Sequence, residues 1–83
     1  MKHNDKVVRL DSLRPGDKCK IKDIVEPGAL EQRLLALGFI PGVEVTVVRN
    51  APLVDPVELL LRGSYVSIRH AEAEKIEVIV WEG

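Results

Sequence analysis

The chain has 83 residues, and its twelve Lys plus Arg against thirteen Asp plus Glu leave a net charge of −1. That length holds one domain, and the balanced charge creates no global field toward nucleic acid or an anionic membrane. Hydrophobic residues make up 46% of the chain but aromatics only 4%, so Val, Leu and Ile must build the core, and a run of stacking platforms for single-stranded nucleic acid is excluded.

The N-terminal stretch MKHNDKVVRLD lacks the apolar run of a signal peptide. No segment approaches the ~20 apolar residues that span a bilayer. The single cysteine, Cys19, has no internal disulfide partner and fits a reducing compartment. A soluble cytoplasmic protein is expected.

Residues 1–6 are polar and read as a flexible tail, with one domain from 7 to 83. Val7 to Leu10 is a short extended segment at a sheet edge, and Asp11-Ser12-Leu13 a tight turn. Arg14-Pro15-Gly16-Asp17 places Pro and Gly at the centre of a type II turn. Lys18 to Val25 is the first clear strand, with Cys19 and Ile21 on one face and Lys18, Lys20 and Lys22 on the other. Ile24 should also be buried, so the alternation slips near Asp23 and a bulge is expected there.

Glu26-Pro27-Gly28 ends this strand and opens the one helical segment. Leu30, Leu34 and Leu37 recur at i, i+4 and i+7, which predicts a helix near 29–37 with these leucines on its buried face. Gly38 follows, where a left-handed residue can close the helix. Pro41-Gly42 then turns the chain into a second strand, Val43 to Arg49, with Val43, Val45 and Val47 inward. The echo of Pro15-Gly16 in Pro41-Gly42 points to one device setting strand entry twice.

Asn50 to Pro56, NAPLVDP, reads as a loop. Val57 to Arg62 follows as a strand with Val57, Leu59 and Leu61 inward. Gly63-Ser64 is a hairpin signal, and Tyr65 to Arg69 returns with Val66 and Ile68 inward. His70 to Lys75 suits one turn of 3₁₀ helix. Ile76 to Trp81 closes the set, with Ile76, Val78 and Val80 inward. Short strands punctuated by turns, with one inserted helix, give an all-β chain folded as a small SH3-like barrel.

No catalytic constellation is legible. His3, Cys19 and His70 are too scattered for a metal site, and two surface histidines are the better reading. Cys19 alternates in phase with Ile21 and reads as a small core hydrophobe. The lysine stripe on the first strand is interleaved with glutamates throughout and reads as a solvated face. More informative are apolar residues out of phase with burial. Val48, Leu60, Ile79 and Trp81 fall on the outward phase of their strands, and Leu35 lies beside the buried stripe of the helix. If adjacent, such residues mark a partner surface, and Trp is enriched at interface cores. Two candidate surfaces follow. One is the outer helix side with the next turn (Glu31, Arg33, Leu35), and the other is the outer strand set (Leu60, Ile79, Trp81).

Several motifs in fixed order resemble the FeoA family. They are L-x-x-L-x-P-G-D from Leu10 to Asp17, A-L-x-x-R-L-L-x-L-G-F-x-P-G from Ala29 to Gly42, A-P-L-x-D-P from Ala51 to Pro56, and the hairpin return through Arg62-Gly63 to Ser67-Ile68-Arg69. The resemblance covers about Leu10 to Val80. It implies a small cytoplasmic protein of ferrous-iron uptake with an SH3-like barrel, no cofactor and no catalysis of its own. It also implies a partner, the FeoB membrane permease with its cytoplasmic GTPase domain. Leu60 stands where the family is commonly polar, which points to weak self-association. A regulatory or RNA-binding barrel, or an iron-binding chaperone with some affinity for transition-metal ions, are the competing readings.

Overall fold

The computed structural model describes residues 5–81. Six antiparallel strands form one sheet: β1 (Asp5–Arg9), β2 (Lys18–Ile24), β3 (Glu44–Arg49), β4 (Val57–Leu61), β5 (Ser64–Ile68) and β6 (Ile76–Trp81), in the spatial order β1-β6-β2-β3-β4-β5. A 3₁₀ turn at Leu10–Ser12 follows β1, helix α1 (Ala29–Leu37) joins β2 to β3, and a short helix α2 (His70–Ala73) joins β5 to β6. The inward residues of β2, β3, β4, β5 and β6 meet in one cluster. A flat sheet holds its strands in a row and cannot bring its two halves into mutual contact. This one therefore curls around its own inner face, the solution of a small barrel. Leu10, Leu34, Phe39, Val43 and Ala73 complete the cluster from outside the strands. Among the described residues, every buried one is apolar or Cys.

The central ladder pairs β2 with β3, Cys19 facing Val45. Its two ends are built alike. At one, Gly16 N–H donates to Val47 O at 2.8 Å and Val47 N–H donates to Asp17 O at 2.9 Å. At the other, Gly42 N–H donates to Ile21 O at 2.8 Å and Ile21 N–H donates to Val43 O at 2.9 Å. Both turns are type II, with Gly16 at φ 93° and Gly42 at φ 92° in the position that needs positive φ. The sequence echo is thus a local two-fold about the Cys19–Val45 pair.

The bulge expected near Asp23 is present: register shifts between Ile21 and Asp23, and Ile24 is buried. A second shift, between Val47 and Arg49, sets Val48 outside the ladder on the exposed side. Other boundaries differ from the sequence reading. β1 begins at Asp5, where Asp5 pairs with Trp81 and Lys6 with Val80; a backbone ladder accepts polar side chains, so polarity alone does not make a tail. Residues 1–4 of the expected tail lie outside the described residues. The hairpin turn is Arg62-Gly63, at φ 52° and 79°, a type I′ pair between the facing Leu61 and Ser64. His70–Ala73 is α-helical, its first turn fixed by the Glu72 carboxylate accepting from Arg69 N–H at 2.8 Å.

Helix α1 is seated shallowly. Leu34 is fully buried and Leu30 packs partly on the core, whereas Leu37, expected inward, is 38% exposed. The helix ends in a Schellman motif: Phe39 N–H donates to Leu34 O and Gly38 N–H to Leu35 O, both at 3.0 Å. Phe39 and Leu34, both fully buried, are the apolar pair of that motif. The chain leaves the helix one residue after Leu37 and buries Phe39, while Leu30 and Leu37, on one side of the helix, lie toward the edge of the core.

Gly38 has φ 111°, and a Cβ there would lie 3.0 Å from Leu61 Cδ2. Gly42 has φ 92° with nothing within 4 Å of the same position. We expect Gly42→Ala to cost about 1 kcal/mol, the left-handed penalty alone. Gly38→Ala should cost about 2–3 kcal/mol, because displacement of Leu61 adds to it. Urea midpoints at unchanged m-value measure the difference.

Candidate functional site

The sequence-selected side chains fall into three places. Arg33 on α1 donates from its guanidinium to the Glu72 carboxylate on α2. It is a tie between the two helices, and its charge is already engaged. Glu31 is half-buried on the first turn, while Leu35 lies exposed in the last turn. Glu31 and Leu35, four residues apart, share one side of the helix, whereas Arg33 is drawn toward α2.

The strand trio also divides. Ile79 pairs with Val7 on one side and Lys20 on the other, and Trp81 lies two residues further along β6 on the same face. Lys20 Nζ sits 5.7 Å from the Trp81 ring centroid, a cation–π contact worth ~0.5–1 kcal/mol at an exposed site. Leu60 is on β4, three strands away across β2 and β3, or roughly 14 Å at the usual strand spacing. It faces Thr46 and Tyr65 instead. Leu60 lines a groove of about 540 Å³ with Ile40, Pro41, Val43, Glu44, Thr46 and Arg62. The structure thus joins the turn after the helix, from one candidate surface, to Leu60 from the other. Ile40, in the lining of that groove, is exposed.

Two features were not legible in the sequence. The first is the loop after β3. Val54 N–H donates to Ala51 O at 3.1 Å, closing a turn with Leu53 in the left-handed region at φ 61°. Leu53 is 99% exposed and Val54 also stands out. Asn50 Nδ2 donates to Asp11 O at 2.9 Å and to Leu13 O at 2.6 Å. His70 Nε2 lies 2.9 Å from Ala51 O and 2.8 Å from Val54 O. Both partners are carbonyls, which only accept, so Nε2 carries the proton. His70 N–H also donates to Asp55 Oδ1 at 2.7 Å, just before the cis Asp55-Pro56 bond. His70 lies at the surface as expected, and there it also straps this loop. The signal available was Leu53-Val54 between two prolines, which carries no strand or helix period. His3 lies outside the described residues.

The second feature concerns the lysine stripe. Lys20 is drawn over Trp81 and Lys22 lies 3.6 Å from Glu77, so the stripe is broken into local pairs. Such surface pairs stabilise little, but they remove the continuous cationic track that a phosphate backbone needs. Among the described residues, no three His, Cys, Asp or Glu side chains are grouped to hold a metal ion, and no helix is long and apolar enough to cross a membrane.

Cys19 is fully buried. Burial pushes its thiol up to about 12, with the charges of Asp17 and Glu44 adding to the rise. The neutral thiol serves as the core hydrophobe its phase predicted. The shift has a stability consequence. The unfolded thiol ionises near ~8.5, before the folded one, so stability is intact below that pH and lost above it. Stability should fall by about 1.4 kcal/mol per pH unit from ~8.5 toward about 12. Cys19→Val should remove that component from urea titrations run against pH.

Comparison with known proteins is consistent with this architecture. The family model for the FeoA domain matches residues 8–80. A Fe(2+) transport protein A/Fe(2+) transporter FeoB fusion protein of Porphyromonas gingivalis (strain ATCC BAA-308 / W83) is 41% identical over 71 residues, which are 86% of this chain and 8% of that protein. This chain therefore spans only a small part of that relative. The solution structure of the FeoA protein from Chlorobium tepidum superposes with a TM-score of 0.80 at 34% identity, covering 92% of this chain and 72% of that one. Stenotrophomonas maltophilia FeoA, described as a prokaryotic SH3 domain protein, shares the fold with a TM-score of 0.76 at 24% identity, over 86% and 88% of the two chains. A six-stranded SH3-like barrel with one inserted helix, matched to the family model along nearly its whole length, is a member of the FeoA family.

Proposed function

We propose that this protein is a non-enzymatic adaptor of ferrous-iron uptake that binds the cytoplasmic part of a FeoB-type transporter. The observation that carries this is the fusion of the two proteins in the Porphyromonas gingivalis relative. Fusion holds two partners at high effective concentration, and it is useful where the separate chains must otherwise find one another. An adaptor needs a stable scaffold and an exposed contact surface, and no reactive centre. The buried, neutral Cys19 and the loop-bound His70 both serve the scaffold. The protein acts at the cytoplasmic face of the membrane, through its partner rather than by inserting into the bilayer.

The contact surface we favour is the groove of Ile40, Pro41, Val43 and Leu60, extended toward exposed Leu35 at the end of α1. It unites apolar residues from the helix turn and from the sheet. Glu44 and Arg62 at its rim supply charges of both signs to orient a partner. Ile79 and Trp81 form a second, smaller surface with Val7. Glu31 and Arg33 contribute less to binding, because Arg33 is tied to Glu72.

Binding of the purified chain to the soluble cytoplasmic part of the transporter, and to full-length transporter in membranes, tests the adaptor reading. Absence of binding in both, with a folded chain, would overturn it. Leu60→Glu should weaken binding at least ~10-fold, equivalent to ~1.4 kcal/mol, while Trp81→Glu should change it by less than ~3-fold. The reverse ranking would move the contact to the β6 surface. Ferrous-iron titration under anaerobic conditions separates the iron-chaperone reading, which requires stoichiometric uptake by the chain alone.

A further inference from the structure

We infer that β5 is a self-association edge, where two copies of this chain pair antiparallel to continue one sheet across a two-fold axis. The proposal goes beyond the adaptor reading and does not depend on it.

The sheet order leaves β1 and β5 as its two edges. They are unlike. β1, DKVVR, carries three charged residues, the usual protection of an edge, whereas β5, SYVSI, carries none. β5 also has no Pro, and its register with β4 runs unbroken from Leu61–Ser64 to Val57–Ile68. In a chain that is 30% charged, an uncharged and regular edge strand stands apart. From Ser64 to Ser67 its residues are exposed or half-buried, and Tyr65 is 72% exposed.

The two-residue Arg62-Gly63 turn makes Leu61–Ser64 a hydrogen-bonded pair, so Val66 and Ile68 also bond to β4. The N–H and C=O of Tyr65 and Ser67 therefore point away from β4. Among the described residues, no hydrogen bond within the chain uses them. This spacing is self-complementary. With a two-fold axis at Val66, Tyr65 of one copy exchanges both backbone bonds with Ser67 of the second, and Ser67 with Tyr65. The two Tyr65 rings then lie diagonally on the outer face, within reach of each other. No foreign sequence is required to satisfy all the outward groups. In this register Gly63 of one copy faces Arg69 of the other at each end, so no like charges stand directly opposite.

Two five-residue strands bury less than the ~1,200 Å² of a stable interface, so the association is weak, with Kd on the order of 1 mM. Amide NMR spectra of the full chain at ~0.15 M salt, followed from ~0.1 to ~2 mM, read it directly. Tyr65 and Ser67 resonances should move with concentration, and their hydrogen exchange should slow about two-fold at the upper end. Ser67→Pro removes a donor that faces away from β4, as an edge position tolerates, and should abolish the dependence. Tyr65→Lys should abolish it too, by placing like charges across the axis, and decides the case if Ser67→Pro does not fold. The proposal is overturned if wild-type resonances stay fixed to ~2 mM, if the shifts map instead to Leu53 or the Leu60 groove, or if they persist in either folded variant.

Discussion

The sheet is organised outward from the β2–β3 ladder. These strands occupy the middle of the order β1-β6-β2-β3-β4-β5, and both ends of their pairing are closed by a Pro-Gly turn whose backbone bonds lock into the opposite strand. A turn alone holds little, because it orders residues at an entropic cost for one bond. Each of these turns instead adds bonds to the ladder it launches. The register of β2 against β3 is thereby fixed at both ends, which a one-residue slip would undo on every inward residue at once. From that fixed pair, β6 is placed on one side and β4 on the other, each with one register shift that bends the sheet.

Bending has to be achieved with small side chains. Phe39 is the single large ring in the core, and the rest is Val, Leu, Ile, Ala and Cys. A short chain with such a core has little stability to spare, and the helix accordingly serves as a lid. It contributes Leu34 deeply and Leu30 partly, then stops so that Phe39 can enter. The shallow seating leaves Leu35, Leu37 and Ile40 in part exposed. Those residues and the neighbouring groove are a direct consequence of how the core was filled, and the proposed contact surface is built from them.

The same economy explains the rest of the surface. Charges of both signs are paired locally, Lys22 with Glu77, Arg49 with Glu58 and Lys75 with Glu26, and Arg33 joins the two helices. These pairs spread both signs over the surface rather than gathering one of them. The loop from Ala51 to Asp55 is held by Asn50 and His70 rather than by packing, and it carries Leu53 in a left-handed conformation that favours glycine.

Much of this was determined by the sequence alone. The strands, their inward residues, the bulge near Asp23, the Gly38 stop and the family followed from alternation, turn chemistry and motif order, because these signals are local and each is set within a few residues. What the tertiary structure decided was everything that depends on a distant neighbour. Leu37 was left exposed by the shallow seating of the helix. Asp5 and Lys6 were drawn into a strand by β6, and His70 was assigned to the loop that crosses it. Leu60 was separated from Ile79 and Trp81 by two intervening strands, although all three share the outward phase. Periodicity tells which side of its own strand a residue faces. Only the order of the strands tells which residues share that side.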